Sequence, residues 1–487
     1  MTPAKSGGQV LVVDVGTSGV RATVVGEDAR IGLVEYEEVL PSSPAQGFVE
    51  FDASKMASAV LTVARAALDR SGPVEGVGIA NQRASTILWD RISGEPVGPG
   101  IGWQDLRTAG MCLMLRDEGI RLAPNQSATK LVMLLDLADP DRSRDLCFGT
   151  VDTWVAWVLS GGQLHVTDHT NAGVTGLVTH DGRGFDTQRC EQLRIPLSVL
   201  PQIVDSTGVL GPASALEGVP PIAGIAGDQQ ASLVGQGCLE PGQAKATFGT
   251  GGMLDCCVGP DRPSFAERGS SGCFPIIAWS AGGSLTWGLE GVMLSAGSCV
   301  EWLRDDLGVV STAAETDEIA ASVDDSAGVY FVPALLGLGT PVWDFGARGT
   351  VLGLTRGSTR AHLVRAVLEG IAHRGADLLE AAELDAGLSV GALAIDGGMS
   401  QNATFVQALA DATGRRIDVS AVTEATAMGA AYLAGVATGI WPDLATASAQ
   451  AKPARSVEPR RRLNRERWLD ARARSERTVP ELSSLDF

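Results

Sequence analysis

The first apolar run of the chain, QVLVVDVGTSGVRATVVG (9–26), sets β-branched residues on either side of a Gly-Thr-Ser-Gly break. That alternation predicts strand, tight turn, strand. Helical spacing follows over about 53–70, and VEGVGIANQ (74–82) reads as a short buried strand ending in polar residues. SATKLVMLLDLA (127–138) predicts a helix with Ser127 as its N-cap, and GTVDTWVAWVLSGG (149–162) a helix stopped by Gly161 and Gly162. In PIAGIAGDQQASLVGQG (221–237), a small apolar strand runs into Asp228 and two glutamines. After Gly242 the opening plan returns, because QAKATFGTGGMLDCCVG (243–259) is again strand, glycine turn, strand. ALAIDGGMSQNATFVQALADATG (392–414) predicts strand, glycine turn, helix, and VTEATAMGAAYLAGVATG (422–439) a small-residue helix suited to close packing. One such hairpin per half predicts two related lobes, 1–242 and 243–487, with a cleft between them.

Composition narrows the class. A chain of 487 residues exceeds what one hydrophobic core supports. With 45% hydrophobic and 20% charged residues it is an ordinary globular chain. The net charge of −19 opposes nucleic acid and anionic membranes as partners. No apolar run approaches the roughly 20 residues that span a bilayer, and MTPAKSGGQV lacks the apolar core of a signal peptide. The eight cysteines form no CxxC pair, which predicts reduced thiols and a cytoplasmic location. The arginine-rich segment RRRLNRERWLDARARSER (460–477) reads as a solvated helix.

A turn rich in Gly, Ser and Thr offers several backbone N–H groups and hydroxyls to one point, an anion-binding nest. Gly16, Thr17, Ser18 and Gly19 form one candidate, and Gly249, Thr250 and Gly251 the other. Asp14, before the first turn, is placed to orient a Mg²⁺ shell, and Arg21 to reach phosphates. Neither GxxxxGK[ST] nor a strand-to-helix GxGxxG is present, and WDFG (343–346) lacks the HRD and VAIK partners of a protein kinase. His165 and His169 stand four apart, but LHVTDHT is too β-branched to predict a zinc-binding helix. The tryptophans of DTWVAW and Trp302 read as core. Asp228, at the end of its strand, suits either a helix cap or a general base.

Taken in order, these stretches resemble the FGGY carbohydrate kinases, and among them are most similar to the glycerol kinases. The resemblance rests on DVGTSGVR, NQRASTILWDRISGEPV, GWQDLRT, DTWVAWVLSGGQLHVTDHTNA, GIAGDQQASLVGQG, TFGTGG, GVYFVPALLGLGTPVWDFGARG, GLTRGSTRAHLVRAVLEGIAH, DGGMSQN and TEATAMGAAYLAG, along nearly the whole chain. It implies an α/β fold of two actin-like (ribonuclease H-like) ATPase lobes with an inter-lobe cleft. It further implies ATP and Mg²⁺ as cofactors, with Asp14 meeting the metal through water. Thr17, Ser18, Gly19 and Arg21 fall on one lobe's nucleotide contacts, and Gly249, Thr250, Gly297, Gly398 and Asn402 on the other's. Glu301 stands where the family has glutamine. Asp228 matches the catalytic base, and Gln229, Arg83 and Trp103 match the acceptor pocket.

Three pocket positions depart from the glycerol-kinase pattern: Ala84 replaces glutamate, Asn125 tyrosine and Leu294 phenylalanine. An acceptor for hydroxyl protons and two aromatic walls are lost together, which enlarges the pocket. The expected reaction is ATP-dependent phosphorylation of a hydroxyl on a small polyol or sugar, longer than glycerol or a small ketose. A true glycerol kinase is the alternative, and an actin-like ATPase with a regulatory or chaperone role is a further one. Expected partners are ATP and the small acceptor, with neither nucleic acid nor membrane and with a homodimer left open.

Overall fold

The computed structural model describes residues 8–422 and 424–485, so the leader reading falls mainly on residues outside it. Its main sheet begins with β1 (Gln9–Val15), β2 (Gly19–Gly26), β3 (Ile31–Glu38), β4 (Gly76–Asn81), β5 (Thr207–Pro212) and β6 (Pro221–Gly227). It continues with β7 (Ala244–Phe248), β8 (Gly252–Gly259), β9 (Phe274–Ala281), β10 (Ser284–Met293), β11 (Ala392–Asp396), β12 (Arg416–Ser420) and β13 (Pro453–Val457). The spatial order is β13-β12-β11-β7-β8-β10-β9-β5-β6-β4-β1-β2-β3. β1, β2 and β3 are antiparallel, and β4 and β6 continue in parallel beyond β1. β7, β8 and β10 are likewise antiparallel, and β11 and β12 run parallel beside β7. One layout therefore occurs twice, and within the sheet the halves are joined where Thr207 pairs with Ala281. This is the two-lobed actin-like architecture. No described helix is long and apolar enough to cross a membrane.

Burial follows each strand's place. β4, covered on both faces, is buried at every residue, whereas the edge strand β3 alternates half-buried and exposed positions. Helix Ala53–Ser71 packs on β2 and β3 and is capped by Asp52, whose carboxylate accepts from the N–H groups of Ser54 and Lys55.

The small residues of helix Ala425–Ala437 are required by a crossing. A Cβ on Gly429 would lie 1.8 Å from the Ala231 carbonyl oxygen, and one on Gly235 would lie 2.0 Å from that of Ala425. Helix 425–437 thereby lies against helix Asp228–Gly235 and also touches β1, β4 and β6. One helix from the second half thus covers the strands of the first.

Two local expectations change. Ser127 precedes helix Ala128–Ala138 but does not cap it, because its hydroxyl donates to the carbonyl of Ala84 at 3.0 Å. The arginine-rich helix Arg465–Ser475 is docked rather than solvated: Arg465 and Arg472 meet Asp377 at 2.6 and 3.1 Å, and buried Trp468 stacks on His373 at 4.8 Å. Burial raises the Asp377 carboxyl, yet Arg374, Arg465 and Arg472 together hold it down at about 2. WDFG forms a turn in which Asp344 accepts from the N–H groups of Gly346 and Arg477.

All eight cysteines are free and buried. Trp154 is buried and Trp302 stacks on Phe331 at 5.6 Å, both in the core as expected. His165 and His169 are separated by their bonding, the first to the Phe148 carbonyl and the second to the Val204 carbonyl and Ser280.

Candidate active site

The first glycine turn joins β1 to β2 and is closed by Gly16 N–H donating to the Gly19 carbonyl at 3.0 Å. Gly19 has no room for a side chain, since a Cβ would fall 2.5 Å from the Tyr36 hydroxyl. Gln82 donates to the Gly16 carbonyl at 3.1 Å, and Trp103 Nε1 reaches Thr17 Oγ1 at 3.5 Å. Trp103 is 38% exposed and leans on this turn. Ser18 is exposed at its tip. Arg21 is engaged by Glu424, with its guanidinium 5.7 Å from the Tyr36 ring. At the end of β1 the Asp14 carboxyl is pushed up to about 7, chiefly by burial, with Asp228 adding and Arg21 opposing.

β6 delivers Asp228 to the cleft. Gly227 is the N-cap of helix 228–235 and Asp228 its first residue, so the capping alternative does not hold. Asp228 Oδ1 accepts from Gln229 N–H at 2.8 Å and lies 3.6 Å from Arg83 Nε. About a third of the side chain (34%) remains accessible. Gly227 makes room for Arg83, because a Cβ there would lie 2.6 Å from Arg83 Cδ. Arg83 also pairs with Glu290 of β10 at 2.5 Å, while its Nη1 is buried without a partner. Burial raises the Asp228 carboxyl above its ordinary value, opposed by Arg83 and the Gln229 N–H.

Beneath Asp228 lies a row of charge that sequence reasoning missed. Lys245, Asp255 and Glu290 are cross-strand neighbours on β7, β8 and β10. Lys245 and Asp255 are fully buried and paired at 2.7 Å, and Lys245 also donates to Gln229 Oε1 at 2.5 Å. The available signal was a charged residue inside each of three apolar strand patterns.

The second turn joins β7 to β8. Gly297 N–H donates to the Gly249 carbonyl at 2.8 Å and Ala296 N–H to that of Thr250 at 2.9 Å, so helix Gly297–Glu301 starts against the turn. Gly397 (φ 85°) packs on the same segment, where a Cβ would meet the Phe248 carbonyl oxygen at 2.5 Å. At Gly249 and Gly398, by contrast, a Cβ would meet nothing within 4 Å.

The structure thus gathers Asp14, Arg83, Asp228 and Gln229 at one point, and Gly249, Thr250, Gly297 and Gly398 around the second turn. Others stand apart. Asn402 spends its side chain on Phe405 N–H and Thr316. Glu301 and Asn125 are exposed, and Leu294 is half-buried beside Gly339. Ala84 is buried with φ 62°, its carbonyl taken by Ser127 and Thr86.

The open glycine surfaces fit a phosphate chain, and the half-buried Asp14 carboxyl fits a nearby cation. Among the described residues, no three or more His, Cys, Asp or Glu side chains converge to hold a metal unaided. A magnesium ion near Asp14 would be held by that carboxyl through water, its own ligands being water and phosphate oxygens.

Fold and site together define a two-lobed kinase of the actin-like class. The models of the FGGY carbohydrate kinases match the chain over residues 9–235 (N-terminal domain) and 244–438 (C-terminal domain). A glycerol kinase of Dechloromonas aromatica is 44% identical over 470 residues, covering 92% of this chain and 93% of that one. The structure of Plasmodium falciparum glycerol kinase with ADP superposes with a TM-score of 0.87 at 26% identity, covering 99% of both chains. Xylulose kinase from Rhodospirillum rubrum shares the fold, with a TM-score of 0.83 at 23% identity over 96% of this chain and 98% of that one. The chain belongs to the FGGY family of carbohydrate kinases, and it is an ATP-dependent sugar or polyol kinase.

Proposed function

We propose that the protein transfers the γ-phosphoryl group of ATP to a primary hydroxyl of glycerol. The observation that carries this reading is Asp228, an accessible carboxylate braced by Arg83 and set beside the Gln229 amide. Its Oδ1 is engaged by Gln229 N–H, which leaves Oδ2 to take the proton as the hydroxyl oxygen attacks phosphorus. Burial raises this carboxyl above its ordinary value, which strengthens it as a base. Arg83 Nη1, buried and unpartnered, is positioned as a donor to an acceptor hydroxyl. The 44% identity to a glycerol kinase favours glycerol.

Thr17, Ser18, Gly19 and Arg21 hold the nucleotide phosphates from the first lobe, and Gly249, Thr250, Gly297 and Gly398 from the second, with the lobes divided near Gly242. Magnesium, when bound, supplies charge neutralisation on the β- and γ-phosphates. Arg21 must exchange Glu424 for phosphate oxygens as the nucleotide enters.

Ala84 supports a second reading, a longer polyol or a small ketose. Its methyl offers no acceptor to a substrate O–H, and a ketone oxygen needs none. Comparing kcat/KM for glycerol, tetritols, pentitols and ketoses by coupled ADP release decides between them. Glycerol leading the panel upholds the first reading, and a leading pentitol or ketose replaces it with the second. ADP release indifferent to every acceptor defeats both.

A further inference from the structure

A buried ion pair is a poor source of stability, because desolvating two charges offsets most of their attraction. Lys245 and Asp255 are nevertheless both fully buried at 2.7 Å, beneath the cleft. Asp255 has no hydrogen-bond donor beyond this charge pair among the described residues. The Lys245 ammonium, beside Asp255 Oδ2, donates to Thr247 Oγ1 (3.1 Å) and to Gln229 Oε1 (2.5 Å).

The last contact decides which way round a carboxamide stands. An ammonium donates and never accepts, so Gln229 must turn its oxygen to Lys245 and its NH₂ away. That NH₂ bonds no described protein group and belongs to a half-buried residue next to Asp228.

We propose that Lys245 and Asp255 are positioning residues: together they lock the Gln229 amide so that Nε2 donates to the acceptor oxygen beside the hydroxyl being phosphorylated. The inference rests on the kinase reading of the Asp228 site. Asp255 holds Lys245 in place from the neighbouring strand, and Lys245 fixes the amide. The pocket then presents two donors, Arg83 Nη1 and Gln229 Nε2, and one acceptor, Asp228.

The test is a mutant cycle on the full chain with the preferred acceptor of the wild type. Lys245→Met with Asp255→Leu removes both charges at similar volume, a replacement that buried pairs generally tolerate. The pair variant and Gln229→Ala are each expected to raise the acceptor KM about tenfold, the scale of one lost hydrogen bond. The KM for ATP is expected to stay within about twofold. Because both changes act through one amide, the triple variant should be no worse than Gln229→Ala alone. Multiplying losses, an unchanged acceptor KM in the pair variant, or an equal rise in the KM for ATP overturns the assignment.

Gln229→Glu covers the case in which the pair variant fails to fold. It keeps the contact to Lys245 but deletes the donor, and should match Gln229→Ala. Near-native acceptor KM in Gln229→Glu overturns the proposal as well. A wild-type protein that phosphorylates no acceptor defeats the kinase reading instead, so the two failures are distinct.

Discussion

Four glycines separate folding from nucleotide binding. At Gly398 and Gly249 an added Cβ meets no atom within 4 Å. Neither residue has a left-handed backbone. Alanine there strains nothing and leaves stability within about 0.5 kcal/mol, with a small gain from a stiffer unfolded chain. Gly297 and Gly397 are the contrast. Their Cβ atoms would stand 2.6 Å from the Gly249 carbonyl oxygen and 2.5 Å from that of Phe248, and Gly397 has φ 85°. Displacing backbone at such sites costs about 1–3 kcal/mol or more. If the phosphates approach the open turns, a methyl about 1.5 Å from Cα blocks at least one N–H contact. A lost hydrogen bond to a charged group is worth about 1.5–3 kcal/mol, or roughly 10- to 100-fold in Kd. Calorimetric titration with MgATP and thermal melts of all four alanine variants measure both quantities. The expected result is native melting with weakened ATP binding for Gly249→Ala and Gly398→Ala, and lowered melting for Gly297→Ala and Gly397→Ala. Native ATP affinity in both Gly249→Ala and Gly398→Ala would refute the placement of the nucleotide.

Further outcomes follow from buried charge. Arg83→Ala raises the acceptor KM with little change for ATP, and costs about 3 kcal/mol or more of stability because Glu290 stays buried beside Asp255; adding Glu290→Gln restores the melting temperature but not the acceptor KM. Burial lowers His373 to about 3 and His165 to about 4, so both fold neutral. Their contribution is complete above about pH 6.5 and declines as pH falls toward those values, by about 1.4 kcal/mol per pH unit for each. Asp14 and Asp152, pushed up to about 7 by burial, act in the opposite sense, favouring the fold as they protonate. The histidine effect is therefore measured as a difference: His373→Asn should lose about 1.4 kcal/mol less per pH unit than the wild type below pH 6.5 in denaturant titrations. Parallel curves would remove His373 as an acid-sensitive site.

The fold was largely legible because its motifs are local. Each glycine turn lies between two strands of its own hairpin, and Gly16–Gly19 and Gly249–Gly251 carry their pattern within a few residues. The charged row beneath Asp228 was not legible, because a lone Lys245, Asp255 or Glu290 inside an apolar run gives no hint of the strand it will face. Register alone joins them. The same holds for Ser127, whose hydroxyl is drawn to Ala84 by a left-handed backbone that local spacing does not announce. Asp377 lies some ninety residues before Arg465, so the basic C-terminal segment read as solvent-facing. Asn402 was placed on the nucleotide by resemblance, yet its amide is engaged by its own helix and Thr316.

The central claim is that Asp228 takes the acceptor's proton at a nucleotide site built by other residues. Turnover and MgATP affinity of Asp228→Asn, measured on one preparation, test it most directly. The account predicts that ATP binds Asp228→Asn as it binds the wild type, while kcat with the preferred acceptor falls by at least about 10²-fold. Near-native kcat in Asp228→Asn, or loss of ATP binding that accounts for its loss of activity, would contradict it.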